Sequence, residues 1–168
     1  MPQFNATPNL DALDIKILAL LQENSGLTNI ELAERIGLSA SPSLRRVKSL
    51  EERGLIAGYR AIVERNSVGL GVRAFVEVRL ERQHDQATEK FLERVKRVPE
   101  IVSCYLMTGG LDFLLEIMAT DLDSYGKFAT STLTSLPGVK EIRSSFVLKE
   151  ISNGRGLPLG HLKAGTSN

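Results

Sequence analysis

The chain has 168 residues, room for one generous domain or two small ones, and its 42% hydrophobic and 24% charged residues mark an ordered soluble protein. No stretch approaches the roughly 18 apolar residues of a membrane span, and residues Met1 to Asn9 lack the basic start and apolar run of a signal peptide. The single cysteine, Cys104, excludes an internal disulfide framework and an all-cysteine metal cage, so the expected location is the cytoplasm.

Net charge is only +1, but it is unevenly spread. Met1 to Ser39 hold two bases against five acids, net −3, while Ala40 to Arg60 hold five bases against two acids, net +3. A local basic patch is what meets phosphates. A charge run alone is more often a solvated helix face, so the surrounding elements decide.

The first half reads as three helices. Asn9 is a candidate cap for a helix in which Leu10, Leu13, Ile17, Leu18 and Leu21 recur at helical spacing. Asp11 and Asp14 sit near its start, where the helix dipole favours negative charge. Thr28-Asn29-Ile30-Glu31 has the form of a capping box and opens a short helix with Ile30, Ala33 and Ile36 inward. Gly37 stops it, because the turn needs a positive φ. Ser39 then caps a third helix, with Pro42 tolerated in its first turn, running to about Arg53 before Gly54. From Leu55 through Val63 the pattern becomes extended, and Glu64 to Leu70 reads as a polar linker.

The second half alternates strand and helix patterns. Val72, Ala74, Val76, Val78 and Leu80 mark a half-buried strand, and Asp85 to Val98 a helix with Ala87, Phe91, Leu92 and Val95 inward. Ile101 to Thr108 and Asp112 to Thr120 are two strands joined by the hairpin signal Gly109-Gly110-Leu111. Asp121 or Asp123 caps a helix carrying Tyr125, Phe128 and Leu133, and Leu136-Pro137-Gly138 turns the chain into a last strand through Val139, Ile142, Phe146 and Leu148. The order β-α-β-β-α-β is the ferredoxin-like arrangement.

A short helix, a turn containing Gly and a following helix match the pair that places its second helix in the DNA major groove. At about 100° per residue the third helix has Leu44, Val47 and Leu50 on one side and Arg45 nearly opposite. Arginine reads guanine bidentately, while lysines, hydroxyls and backbone amides near a helix N-terminus take phosphates. The candidate contacts to double-stranded DNA are Ser39, Ser41, Pro42, Ser43, Arg45, Arg46, Lys48 and Ser49. A plain helical bundle is the alternative, and the gathering of basic residues on the recognition face weighs against it.

Three runs carry a family resemblance. They are Leu10-Asp11-x-x-Asp14-x-x-Ile17-Leu18, Glu31 through Ser39, and Arg45-Arg46-Val47-x-x-Leu50-Glu51-x-x-Gly54-Leu55-Ile56-x-Gly58-Tyr59. With Thr108-Gly109-Gly110-x-Asp112-Phe113-Leu114-Leu115 and Leu136-Pro137-Gly138-Val139, the chain from Leu10 to Ile151 resembles the Lrp/AsnC (leucine-responsive, feast/famine) regulators. The resemblance implies an α+β protein: a winged helix-turn-helix domain with a strand linker over 1–63, then a ferredoxin-like effector-binding and oligomerisation domain over 64–168. It also implies homodimers, commonly assembled into octamers, with an amino-acid effector bound between subunits. Carried over by position, that cleft involves Leu106, Thr108, Gly109, Gly110, Asp112, Leu122 and Phe146, with Ser145 and Val147 beside it. Many members carry an acidic or aromatic residue where this chain has Gly110. A glycine pair exposes backbone groups to an α-carboxylate and Asp112 suits an α-ammonium. The same residues equally suit a plain hairpin turn and a cap or ion pair.

Little else carries chemistry. Cys104 reads as a structural thiol in an apolar strand, and His84 and His161 stand far apart in polar surroundings. Gly69-Leu70-Gly71 lacks the helix that a dinucleotide loop needs. No nucleophile, base and orienting group assemble, so no enzymatic activity, cofactor or metal is expected. The leading expectation is a sequence-specific transcription regulator. An architectural DNA-binding protein with little sequence preference is one rival, and a ferredoxin-like small-molecule module is the other.

Overall fold

The computed structural model describes residues 9–81, 85–152 and 156–162. His84, the stretch before Asn9, and residues 153–155 and 163–168 of the tail lie outside the described residues. The chain divides into two compact units, Met1–Ala61 with Ile151–Asn168, and Ile62–Glu150.

In the first unit α1 (Ala12–Glu23), α2 (Asn29–Ile36) and α3 (Ala40–Glu52) enclose a core of Leu10, Ile17, Leu32, Ile36 and Leu50. Asp11 caps α1, not Asn9: its carboxylate accepts from the Asp14 amide at 2.8 Å. The capping box of α2 forms as expected, with Glu31 accepting from the Thr28 amide and hydroxyl at 2.7 Å each. Gly37 ends α2 at φ 75°, the left-handed conformation that a side chain would strain. Ser39 takes the cap position of α3, but its side chain makes no capping hydrogen bond.

One inward residue of α2 is corrected. Ile30 is 64% exposed, and Leu32, at 2%, takes its place. Measured from Ile36 around the helix, Leu32 lies about 40° away and Ile30 about 120°, so a face centred on Ile36 buries the former.

Residues 156–162 pack with this first unit, although the sequence groups them with the second half. Leu162 lies against the helical core, and the Leu157 amide donates to Gln22 Oε1 at 2.6 Å. A Cβ on Gly156 would stand 2.9 Å from the Gln22 side chain, so glycine permits the close approach. The extended segment expected from Leu55 has no strand assigned among the described residues, and the polar linker contains a 3-10 turn, Arg65–Val68, closed by Gly69.

The second unit is β1 (Val72–Leu80), α4 (Asp85–Val95), β2 (Ile101–Leu106), β3 (Phe113–Ala119), α5 (Leu122–Ser131) and β4 (Val139–Phe146). The strands form one antiparallel sheet in the order β2-β3-β1-β4. Alternation turns Ala74, Val76, Val78 and Leu80 of β1 and Phe113, Leu115, Ile117 and Ala119 of β3 to one face. There they pack with Phe91, Val95, Tyr125, Phe128, Leu133 and Leu136. Helix α4 ends earlier than the expected Val98, continuing as turns to Pro99. Leu133 sits in a short 3-10 turn after α5. Asp121 caps α5, accepting from the Ser124 amide at 2.7 Å.

The correction in α2 gives a direct check. Leu32→Ala should cost about 2–5 kcal/mol of stability, and Ile30→Ala should stay within about 0.5 kcal/mol, both measured by chemical denaturation. Equal losses would contradict this placement of the core.

Candidate functional site

The candidate DNA-facing surface is what α3 leaves exposed once its buried residues are placed. Leu50 is fully buried, and so is Ser43, whose Oγ has no hydrogen-bond partner among the described residues. Ser43 therefore cannot present its hydroxyl to a groove, which corrects its inclusion among the candidate contacts. Ser39, Ser41, Arg45 and Lys48 are exposed, and Pro42 and Ser49 are half-buried. Leu44, expected on the buried side, is 43% exposed. Pro42, Arg45 and Ser49 line an open groove of about 420 Å³ together with Asp14, Leu38 and Arg46. The Asn29 side-chain amide donates to the Ala40 carbonyl at 2.8 Å, tying the start of α3 to α2.

Arg46 is differently placed from Arg45. Its guanidinium lies 2.7 Å from Asp14 and 2.8 Å from Asp11, so it is turned back on α1. Arg53 donates to the Asn9 carbonyl at 2.7 Å and stands 3.9 Å from Asp14. Burial pushes the Asp11 carboxyl up, but the Asp14 amide and the Arg46 guanidinium outweigh it and hold it below its ordinary value. The sequence placed Asp11 and Asp14 at a helix start; their links to Arg46 span 35 and 32 positions and left no local signal.

In the second unit the expected effector residues form two groups. Leu106, Thr108, Gly109, Gly110 and Asp112 gather at the β2–β3 hairpin, where Gly109 has φ 110° and the Arg79 Nε donates to the Gly110 carbonyl. Asp112 accepts from the Leu80 amide at 2.8 Å, and its own amide donates to Val78. Leu122 opens α5 at the other end of the sheet. Phe146 pairs with Ala74 there and meets the Tyr125 ring edge-on at 4.9 Å. Between the Phe113–Val78 and Ile117–Ala74 pairs alone lie roughly 13 Å of strand. A single chain does not bring the two groups together. Leu106, Leu122 and Phe146 are exposed apolar residues, at 77%, 61% and 43%.

The sheet face opposite the helices carries Arg73, Phe75, Glu77 and Arg79 of β1, and no helix of the described residues covers it. Arg73 there pairs with Glu116 at 2.7 Å and Glu150 at 2.9 Å, and Ser103 donates to Glu116 at 2.9 Å. Cys104 is half-buried against the core, and burial pushes its thiol up.

Two outcomes follow from the first unit. Ser43→Ala removes a buried hydroxyl that has no partner among the described residues, so stability should stay level or rise; a loss above about 1 kcal/mol by thermal melting would contradict its placement. Acid should weaken this unit. The Thr28 amide and hydroxyl hold Glu31 below its ordinary value as Asp11 is held. A carboxylate depressed by folding contributes stability above its unfolded value and loses it as pH falls through the folded one. Helical circular dichroism should therefore show a falling unfolding midpoint from about pH 5 downward. A midpoint flat to about pH 3 would contradict the pairing.

Comparison with known proteins places these elements. Residues 10–57 match a winged helix-turn-helix DNA-binding domain and residues 73–157 the Lrp/AsnC ligand binding domain. The chain is 40% identical over 150 residues to the Bkd operon transcriptional regulator of Pseudomonas aeruginosa, spanning 89% of this chain and 98% of that protein. It is 39% identical over 144 residues to the leucine-responsive regulatory protein of Rhizobium meliloti, spanning 86% and 92%. Among solved structures, a transcriptional regulator of Neisseria meningitidis in complex with L-Met superposes with a TM-score of 0.87 at 47% identity, covering 90% of this chain and 98% of that one. An AsnC family regulator of Agrobacterium tumefaciens gives 0.85 at 32%, covering 92% and 100%. The three-helix unit and the four-stranded sheet are thus those of a DNA-binding regulator, and the chain belongs to the Lrp/AsnC family of transcriptional regulators.

Proposed function

We propose that this regulator reads DNA through the exposed face of α3, with Arg45 as its base-reading residue, and that an amino acid bound by the second unit modulates it. The observation that carries the reading is the division of α3. Arg45 stands exposed in an open groove with Pro42 and Ser49, while Arg46 is paired to Asp11 and Asp14 and Ser43 is buried. Lys48, Ser39 and Ser41, exposed beside it, suit phosphate contacts that fix register without reading sequence.

The effector reading rests on the hairpin and on chemistry. Exposed backbone at Gly109 and Gly110 suits an α-carboxylate, and exposed Leu106, Leu122 and Phe146 suit an aliphatic side chain. The L-Met complex of the Neisseria meningitidis regulator supports an amino acid of that kind. Asp112 is already held by the Leu80 amide, so its first role is to fix the hairpin on β1. Because the two residue groups lie at opposite ends of one sheet, a cleft using both takes one group from each of two copies. The sheet face that no helix of the described residues covers supports such pairing, because it offers a second copy the apolar Phe75 beside the Arg73–Glu116–Glu150 network. The working form is then a homo-oligomer, a dimer or a multiple of it up to an octamer, acting in the cytoplasm. The effector works by binding two assembly or orientation states unequally, since equal binding shifts nothing.

Arg45→Ala should weaken binding to the protein's own operator by about 1–3 kcal/mol and relax preference at one base pair. Measured at one salt concentration by fluorescence anisotropy, an unchanged operator affinity would remove Arg45 from the reading set.

A further inference from the structure

Four cations lie on or just after α3, and two of them are engaged by α1. Arg46 meets Asp11 and Asp14 at 2.8 and 2.7 Å, and Arg53 stands 3.9 Å from Asp14. Asp11 has a second use as the cap of α1, but the Asp14 carboxylate goes to the two arginines. The Asp14 carboxylate is buried, with 12% of its side chain exposed, so the pair fixes α3 against α1 as well as occupying Arg46, and the two roles separate only by a readout other than stability. Arg46 keeps 32% of its side chain exposed on the wall of the groove that holds Arg45, one residue along the same helix.

The energetics of DNA binding give the pairing a consequence. Each phosphate neutralised adds affinity for every sequence alike, whereas a base contact adds affinity for one. A cation withheld from phosphate lowers the first contribution and leaves the second intact. We propose that Asp14, with Asp11, sets the ratio of specific to non-specific DNA binding by withholding Arg46 from the phosphate backbone. The residue that determines specificity is then an acid on α1 that touches no base. This rests on the reading of α3 as the DNA-facing helix.

The test uses Asp14→Asn, which keeps the shape and removes the charge, with the full-length protein and two duplexes, its own upstream DNA and a scrambled one. Asp14→Asn should bind the scrambled duplex more tightly than the wild type at low salt. Its loss of affinity between about 50 and 200 mM salt should be greater by roughly threefold, the mark of one more phosphate contact. The ratio of upstream to scrambled affinity should fall, and adding Arg46→Gln should return the salt dependence to the wild-type value. Asp11→Asn, at a more exposed site, should move the same quantities in the same direction by less, which keeps the test open if Asp14→Asn unfolds. A merely structural role for Asp14 moves stability and not the salt dependence. Unchanged salt dependence in both folded acid variants would overturn the proposal. So would Arg46→Gln in the wild-type background if it reduced the salt dependence by a whole contact, because Arg46 would then already be on phosphate. If the wild type binds neither duplex, the DNA-facing reading falls and the proposal with it; wild-type binding with unmoved variants sinks the proposal alone.

Discussion

A helix that buries one face in its own domain has only the other face to offer, and α3 is governed by that constraint. Leu50 and Ser43 are buried, which fixes the helix's rotation and turns Arg45 outward. The Asn29 amide on the Ala40 carbonyl fixes its start, and Arg46 on Asp11 and Asp14 fixes its flank against α1. The exposed face of α3 is therefore held in one orientation, with part of its charge paired by acids at the start of α1. Five bases against two acids over Ala40 to Arg60 overstate the positive charge that α3 presents, because acids at the start of α1 engage Arg46 and, at 3.9 Å, Arg53.

The second unit is organised by the same logic in a sheet. Period-two alternation gives β1 and β3 one face for the helices and one without cover among the described residues. That uncovered face is neither a plain apolar patch nor a plain polar one. Arg73 holds Glu116 and Glu150 across it, with Phe75 beneath the guanidinium at 5.5 Å. A charged network of this kind suits a surface that pairs with its own copy in one register, since a slipped register sets like charges together. The hairpin at the sheet's end is held by Asp112 and Arg79, which leaves its backbone preformed.

The sequence made local features legible. The Thr28–Glu31 box, the left-handed Gly37, the alternation of β1 and the Gly109-Gly110 hairpin all depend on neighbours within a few residues. So did the helix pair and the βαββαβ order, which the family comparisons bear out. What stayed hidden is non-local or turns on small rotations. Ile30 and Leu32 share a helix too short for its pattern alone to fix the buried face. Arg46 looked like a DNA contact because its partners lie 32 and 35 positions away. Ser43 looked like a hydroxyl donor because it is a serine near the start of α3, although it stands seven positions before Leu50, about 20° away around the helix and so on the buried side. The docking of 156–162 on α1 depends on one glutamine and one leucine, with no motif to announce it.

The central claim is that this chain binds DNA by sequence and that an amino acid alters the binding. It is met most directly by titrating the purified protein into its own upstream DNA and a scrambled duplex, at two salt concentrations, with and without mixed amino acids. The account predicts tighter binding to the upstream duplex, a preference that persists at the higher salt, and a shift on adding one of the mixtures. Equal and steeply salt-dependent binding to both duplexes, unmoved by any amino acid, would contradict it.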